Sequence, residues 1–221
     1  GVSAGFNPVC GGGGAKYNKG LPSFEMGIAD LVPLLNSKGF PTTGYSADIF
    51  FKGTSVYFGY QANVSYKIND IVSVAAGIRL VSAKNTYAGH LNNISINPTY
   101  PAFGAAYNGG MVKANDFFTS GATTLNGLAA SSITAANGLS GAITSGTPAT
   151  TPLSSMPAAT VAGVTALLGA AGISAAGMNI GTAAATLNAV APAFTANAST
   201  MTGYATSTQD IAVDAEESGT G

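Results

Sequence analysis

The chain has 221 residues, a net charge of −1, one cysteine and no tryptophan, and 8% of its residues are charged. That is about a third of the share usual in soluble domains. Eight scattered Lys and Arg, offset by nine Asp and Glu, exclude the basic surface that nucleic-acid binding needs. One cysteine excludes an internal disulfide and a cysteine-based zinc cluster, and the 46% hydrophobic content excludes a charge-rich disordered tail.

The chain begins at Gly1 without a methionine, a basic segment or an apolar leader, so it is expected to be an internal piece of a longer protein. Residues 1–8 suggest a partial strand. The run Gly11–Gly14 is followed by Ala15-Lys16-Tyr17. A phosphate-binding loop requires Gly-Lys-Ser/Thr at that place, so the run is expected to be a flexible exit from a strand. Cys10 has no electropositive neighbours that would activate a thiol. From Ser23 to Leu35, Phe24, Ile28, Leu31 and Leu35 fall on one helical face. Ser23 can cap the helix and Pro33 should break it, which predicts short helical turns.

Tyr45, Ala47, Ile49 and Phe51 then alternate on odd positions. The phase changes near Gly53, which predicts a bulge or bend. Over residues 54–69 the even positions Val56, Phe58, Tyr60, Ala62, Val64, Tyr66 and Ile68 are apolar and the odd ones are mostly polar or small. A strict period of two predicts a strand far longer than the usual 5–6 residues. Asn69-Asp70 reads as a tight turn. A second strand follows from Ile71, with Val72, Val74, Ala76, Ile78 and Leu80 on one face and Ser73, Ala75, Gly77 and Arg79 on the other. Extended chain should persist to Ile96 and end at Pro98.

From Phe117 to Gln209 there is no charged side chain. Three helical stripes are expected: Leu125, Leu128, Ile133, Ala136, Leu139 and Ile143; Val161, Val164, Leu167 and Leu168, entered through Pro157; and Leu187, Val190, Phe194, Met201 and Tyr204, with a break at Pro192. Gly138-Leu139-Ser140-Gly141 and Thr147-Pro148 should separate pieces. After Thr208, alternation resumes at Gln209–Asp214 as the start of another strand.

Long antiparallel strands with one apolar face fit a soluble sandwich or a membrane barrel. Their length, the tight turn and the small, polar second face favour the barrel, with the turn periplasmic and the long connections extracellular. The fold class is therefore an all-β transmembrane barrel segment carrying a large, mainly helical extracellular insertion. Residues 1–98 would supply barrel strands and a helical loop at 21–44, residues 99–207 the insertion, and residues 208–221 the next strand. Such barrels need about eight strands or more, and every edge paired, so this segment is expected to be incomplete.

Three stretches resemble the outer-membrane fatty-acid transport family, the FadL/TodX-type channels for hydrophobic compounds, in the form found in Bacteroidetes. They are Gly11-Gly12-Gly13-Gly14-Ala15-Lys16-Tyr17-Asn18-Lys19-Gly20-Leu21-Pro22-Ser23-Phe24-Glu25; Gly53-Thr54-Ser55-Val56-Tyr57-Phe58-Gly59 with Tyr66-Lys67-Ile68-Asn69-Asp70; and Ala83-Lys84-Asn85-Thr86-Tyr87-Ala88-Gly89-His90-Leu91. The resemblance covers most of residues 5–98, and the insertion by style. It implies a fourteen-stranded barrel with an N-terminal hatch, and hydrophobic ligands caught between extracellular loops. The hatch would lie upstream, and Asn7-Pro8-Val9 does not correspond to its motif.

On this view Phe24, Ile28, Leu31, Leu34 and Leu35 line one wall of a greasy capture groove, and Phe103, Phe117 and Phe118 face them. The competing reading is that the loop residues pack a small core of their own. Arg79 points into the lumen, where it attracts a ligand carboxylate or pairs with an acid. His90, the sole histidine, reads as a loop residue, and no catalytic set assembles around it. Asp214, Glu216 and Glu217 read as a solvated strand end rather than a metal site. The expected function is passive uptake of long-chain fatty acids or other hydrophobic small molecules across the outer membrane, in contact with its lipid, without enzyme chemistry, metal or cofactor. The alternative is a non-transport surface adhesin or passenger-type protein.

Overall fold

A computed structural model describes residues 1–221. In chain order the elements are β1 (Val2–Tyr17), α1 (Pro22–Ala29), α2 (Leu31–Ser37), β2 (Thr42–Lys67), β3 (Ser73–Pro98), β4 (Val112–Lys113), α3 (Ala114–Thr144), α4 (Ala158–Ala170), α5 (Ile180–Ser207) and β5 (Ile211–Thr220). The chain forms two compact units, residues 1–95 with 209–221, and residues 96–208.

The first unit is an open antiparallel sheet of long strands. β2 lies between β1 and β3, and β5 pairs with β3. β2 and β3 each run 26 residues, about 86 Å at about 3.3 Å per residue. They meet at a turn that Asn69 builds. Its Oδ1 accepts from the amides of Ile71 at 2.9 Å and Val72 at 2.8 Å, the local bonding that suits Asn to turns. The Lys67 ammonium donates to Asp70 at 2.6 Å across the same turn. The turn takes residues up to Val72, so the second strand starts at Ser73, two residues later than the alternation suggests.

β2 has no break at Gly53; it is continuous. The irregularities fall instead in β1, where the register against β2 shifts between Pro8 and Cys10 and again between Gly11 and Gly13. The glycine run is thus inside a strand and not at its exit. Gly11 has φ +74, and a Cβ there would lie 2.5 Å from the Ser55 carbonyl oxygen, so a bulge at this site selects glycine. The change of phase in β2 reflects a change in which face is apolar, with pairing unbroken.

α1 starts at Pro22, after Leu21, and no side chain caps it. Proline at the first turn loses no intrahelical bond, and this placement makes a Ser23 cap unnecessary. The helix breaks at Asp30 and not at Pro33, which sits in the first turn of α2. Ile28 and Leu35 are buried. Asn36 ties the end of α2 to β2, donating to the Thr42 carbonyl at 2.7 Å and accepting from its amide at 3.0 Å.

The second unit is built on two long helices, α3 and α5, with α4 beside them. Its core holds Leu139, Leu153, Val164, Leu168, Ile180 and Leu187 with Ala136, Ala183 and Ala184. The buried face of α3 is mostly small: Gly121, Ala122, Ala129, Ser132 and Ala136 are buried, while Ile133 is exposed. Of the expected stripe, Ala136 and Leu139 are buried, Leu125, Leu128 and Ile143 are half-buried and Ile133 is exposed. Small side chains let helix backbones approach closely, and α5 answers with Ala183, Ala184, Ala191, Ala198 and Ala205. α3 runs unbroken through Gly138–Gly141, and α5 runs through Pro192. Pro192 is exposed, so the carbonyl that loses its bond is open to water.

Beyond Asp116 these helices carry no charge, and many of their hydroxyls bond locally. Thr123, Thr134, Thr186, Thr202 and Thr206 each donate to the carbonyl four residues back, at 2.8–3.1 Å. Asn179 caps α5 by accepting from the Thr182 amide at 2.8 Å.

Candidate functional site

The sheet has two chemically distinct faces, and they follow from its register. Val2, Ala4, Phe6 and Pro8 of β1 stand opposite Val64, Ala62, Tyr60 and Phe58 of β2. Cross-strand partners share a face. Gly77 approaches the Ala62 carbonyl and the Asn63 side chain, and Arg79 bonds Gln61 at 2.6 Å, so Ile78 and Leu80 lie among the same apolar set. This face is open: Val64 is 59% exposed, Tyr66 70% and Ile78 79%. Phe6 stacks on Phe58 at 5.4 Å and tilts against Tyr60 at 5.0 Å, placing an aromatic cluster at one end of the band. Tyr66 stands at the other end. From Val56 to Tyr66 the band runs about 33 Å along the strand.

The opposite face of the same strands carries small and polar groups. Arg79 lies here, held by Gln61 on the neighbouring strand. Asn63 reaches Ser3 at 3.4 Å, and Ser55 donates to Asn85 at 2.7 Å.

Farther from the turn, the second face becomes apolar. Gly89 packs on Phe51, Gly53 on Tyr87, and Val213 stands opposite Gly89 with Ile211 opposite Leu91. Phe51, Tyr87, Gly89, Leu91, Ile211 and Val213 thus lie on one face by register. With Phe24 of α1 they line an apolar cleft of about 230 Å³. Drug-sized sites run to about 300–1,000 Å³, so this cleft holds one end or one bend of an apolar chain rather than a whole large ligand. At its margin the His90 ring stacks on Phe50 at 5.5 Å, and its Nε2 lies 3.4 Å from Asp48 Oδ2. That nitrogen is buried without a hydrogen bond. His90 is therefore a strand residue beside the cleft, where a loop position was expected.

Of the residues singled out from sequence, Phe24 lines the cleft. Ile28 and Leu35 are buried in the first unit, and Leu31 and Leu34 are half-buried. Phe103, Phe117 and Phe118 do not offer a free face. Phe117 and Phe118 are fully buried. They join Tyr100, Phe103, Tyr107 and Tyr204 in a ring cluster of the second unit, with centroids 4.7–5.6 Å apart. These rings pack a core of the second unit. Arg79 is apart from the cleft, with its guanidinium on Gln61. Cys10 is exposed. Sequence reasoning missed Phe51, Tyr87, Leu91, Ile211 and Val213 as a set. The signal was present in the odd-position alternation of Tyr45–Phe51 and Ile211–Val213, and only the strand register joins the two.

Comparison with family models, with curated proteins and with solved structures returns no match to this chain. No helix is long and apolar enough to cross a membrane, which says nothing of crossing by strands.

Proposed function

We propose that this chain is part of an outer-membrane β-barrel that takes up long-chain fatty acids or similar apolar molecules by passive diffusion. The observation that carries the reading is the two-faced sheet. An exposed apolar band about 33 Å long would stand about 25 Å high at the roughly 40° strand tilt of transmembrane barrels, as their outward belt does, and a soluble protein rarely exposes so large a contiguous apolar patch. In this reading the belt contacts lipid, the Ser/Asn/Gln/Arg face lines the lumen, and the Asn69 turn is periplasmic.

The mechanism is transfer by burial. An apolar chain leaves water for the cleft lined by Phe24, Phe51, Tyr87 and Leu91, gaining about 0.8 kcal/mol per buried methylene. A cleft of 230 Å³ covers only part of such a chain, so the hold is loose enough for release inward. Arg79 and its polar neighbours offer a carboxylate a polar track below the cleft. No group acts as a nucleophile, acid or base in this account. The residues 96–208 form an extracellular helical unit inserted between β3 and β5.

The test uses the full-length polypeptide that carries this chain. Expected are an outer-membrane location, a gel mobility that shifts on boiling, and saturable binding of a radiolabelled C16 fatty acid that Phe51→Asp weakens about tenfold or more. A soluble or surface-shed protein without a mobility shift contradicts the proposal and favours an adhesin.

A further inference from the structure

We infer that Lys16 and Lys52 hold the phosphate of an outer-leaflet lipid headgroup against the outer wall of the sheet. The inference rests on the membrane reading above and adds a lipid-specific contact to it. The register places Lys16 directly opposite Lys52. Partners so placed have Cβ atoms about 4.5–5.5 Å apart, and like charges there destabilise a sheet. Strand alternation puts Lys52 on the same face as Val56, Phe58 and Tyr60, the face of the apolar belt.

Neither lysine has an anionic partner. Ion pairs of the chain include Lys67 with Asp70 and Lys84 with Glu216, and neither of these involves Lys16 or Lys52. The nearest acids on this face are otherwise engaged or distant. Glu216 is 2.7 Å from Lys84. Asp214 stands opposite Ala88 on β5, two strands and so about 10 Å from Lys52. Asp48 lies about 13 Å along β2 and faces His90. A chain with eight Lys and Arg in all thus sets two of them directly against each other. A bridging dianion converts that repulsion into two charge-assisted contacts.

The height selects the source of the anion. Lys52 lies about 13 Å along the strand beyond Val56, or about 10 Å in height at a tilt near 40°. The headgroup layer extends about 5–8 Å beyond the hydrocarbon boundary, and a lysine stem bends back along apolar surface by the remainder. The contact is therefore with a lipid phosphate rather than with a soluble anion.

The test compares the full-length protein with its Lys16→Gln/Lys52→Gln double variant in detergent. The probes are diphosphoryl lipid A, its dephosphorylated form and inorganic phosphate, and bound lipid is counted by native mass spectrometry. Lys67→Gln, at the far end of the strand, is the control. Expected is a loss of about 30-fold in lipid A affinity in the double variant, none in the control, equally weak binding of the dephosphorylated lipid, and no competition by phosphate. Unchanged lipid A affinity in a double variant that still shifts on boiling overturns the lysine assignment alone. Displacement of the lipid by millimolar phosphate overturns the lipid source. A wild-type protein that never enters a membrane overturns this inference together with the reading beneath it.

Discussion

At the scale of single residues, the cleft turns on rings from three segments. Phe51, Tyr87 and Phe24 line it, and each comes from a different element. Phe24 was legible as an apolar residue of a loop helix, while Phe51 and Tyr87 sit in strands whose apolar phase is opposite to that of the belt. A single-sequence reading assigns each strand one inside and one outside, and here the two exchange along the strand. Ser132 makes a separate test of the helical unit. Its side chain is fully buried and its Oγ has no hydrogen-bond partner. An unsatisfied buried hydroxyl costs about 1–3 kcal/mol. Ser132→Ala is expected to raise the melting temperature of the protein, by an amount corresponding to about 1 kcal/mol, in a thermal scan followed by circular dichroism. A lower melting temperature contradicts the packing described for α3.

At the scale of elements, the strands were the most legible part. Strict alternation from Val56 to Ile78, interrupted by Asn69-Asp70, fixes two strands, a turn and both faces. The face assignment predicts that Ile78→Arg blocks membrane assembly, since arginine on the lipid side costs about 2–4 kcal/mol at mid-membrane. Ser73→Arg, near the turn on the opposite face, is expected to assemble. Folding into lipid vesicles, read by boiling-dependent mobility, distinguishes the two, and equal tolerance contradicts the faces. The helices were less legible. Of the stripe expected in α3, Ala136 and Leu139 are buried and Ile133 is exposed, while Ala122 and Ala129, outside that stripe, are buried because small side chains let α5 pack closely there. Glycine and proline were read as breakers at Gly138, Gly141 and Pro192. In long helices supported by tertiary packing, a cost of about 1 kcal/mol per glycine does not end the helix. The same close packing predicts that Ala136→Leu destabilises the helical unit by about 1–3 kcal/mol through overpacking, measurable as earlier loss of helical signal in urea.

At the scale of the molecule, the helical unit is an insertion between paired strands. Leu91 stands opposite Ile211 at the end of the β3–β5 ladder, and the unit of residues 96–208 lies between them in sequence. Exposed insertions are tolerated when the strands that flank them pair independently. Replacing residues 97–207 by a short Asn-Gly turn is therefore expected to leave membrane assembly intact, with boiling-dependent mobility as the readout. Loss of assembly assigns the unit a role in folding the sheet.

The central claim is that one face of β3 near the turn meets lipid and the other does not. A nitroxide placed in turn at Val74, Ala75, Ala76, Ile78 and Leu80 of the full-length protein, with other cysteines replaced, reads this directly in liposomes. The account predicts a period of two: labels at Val74, Ala76, Ile78 and Leu80 relax with oxygen, which partitions into lipid, and the label at Ala75 relaxes with a water-soluble nickel chelate. Uniform access of the nickel chelate to all five positions would contradict it.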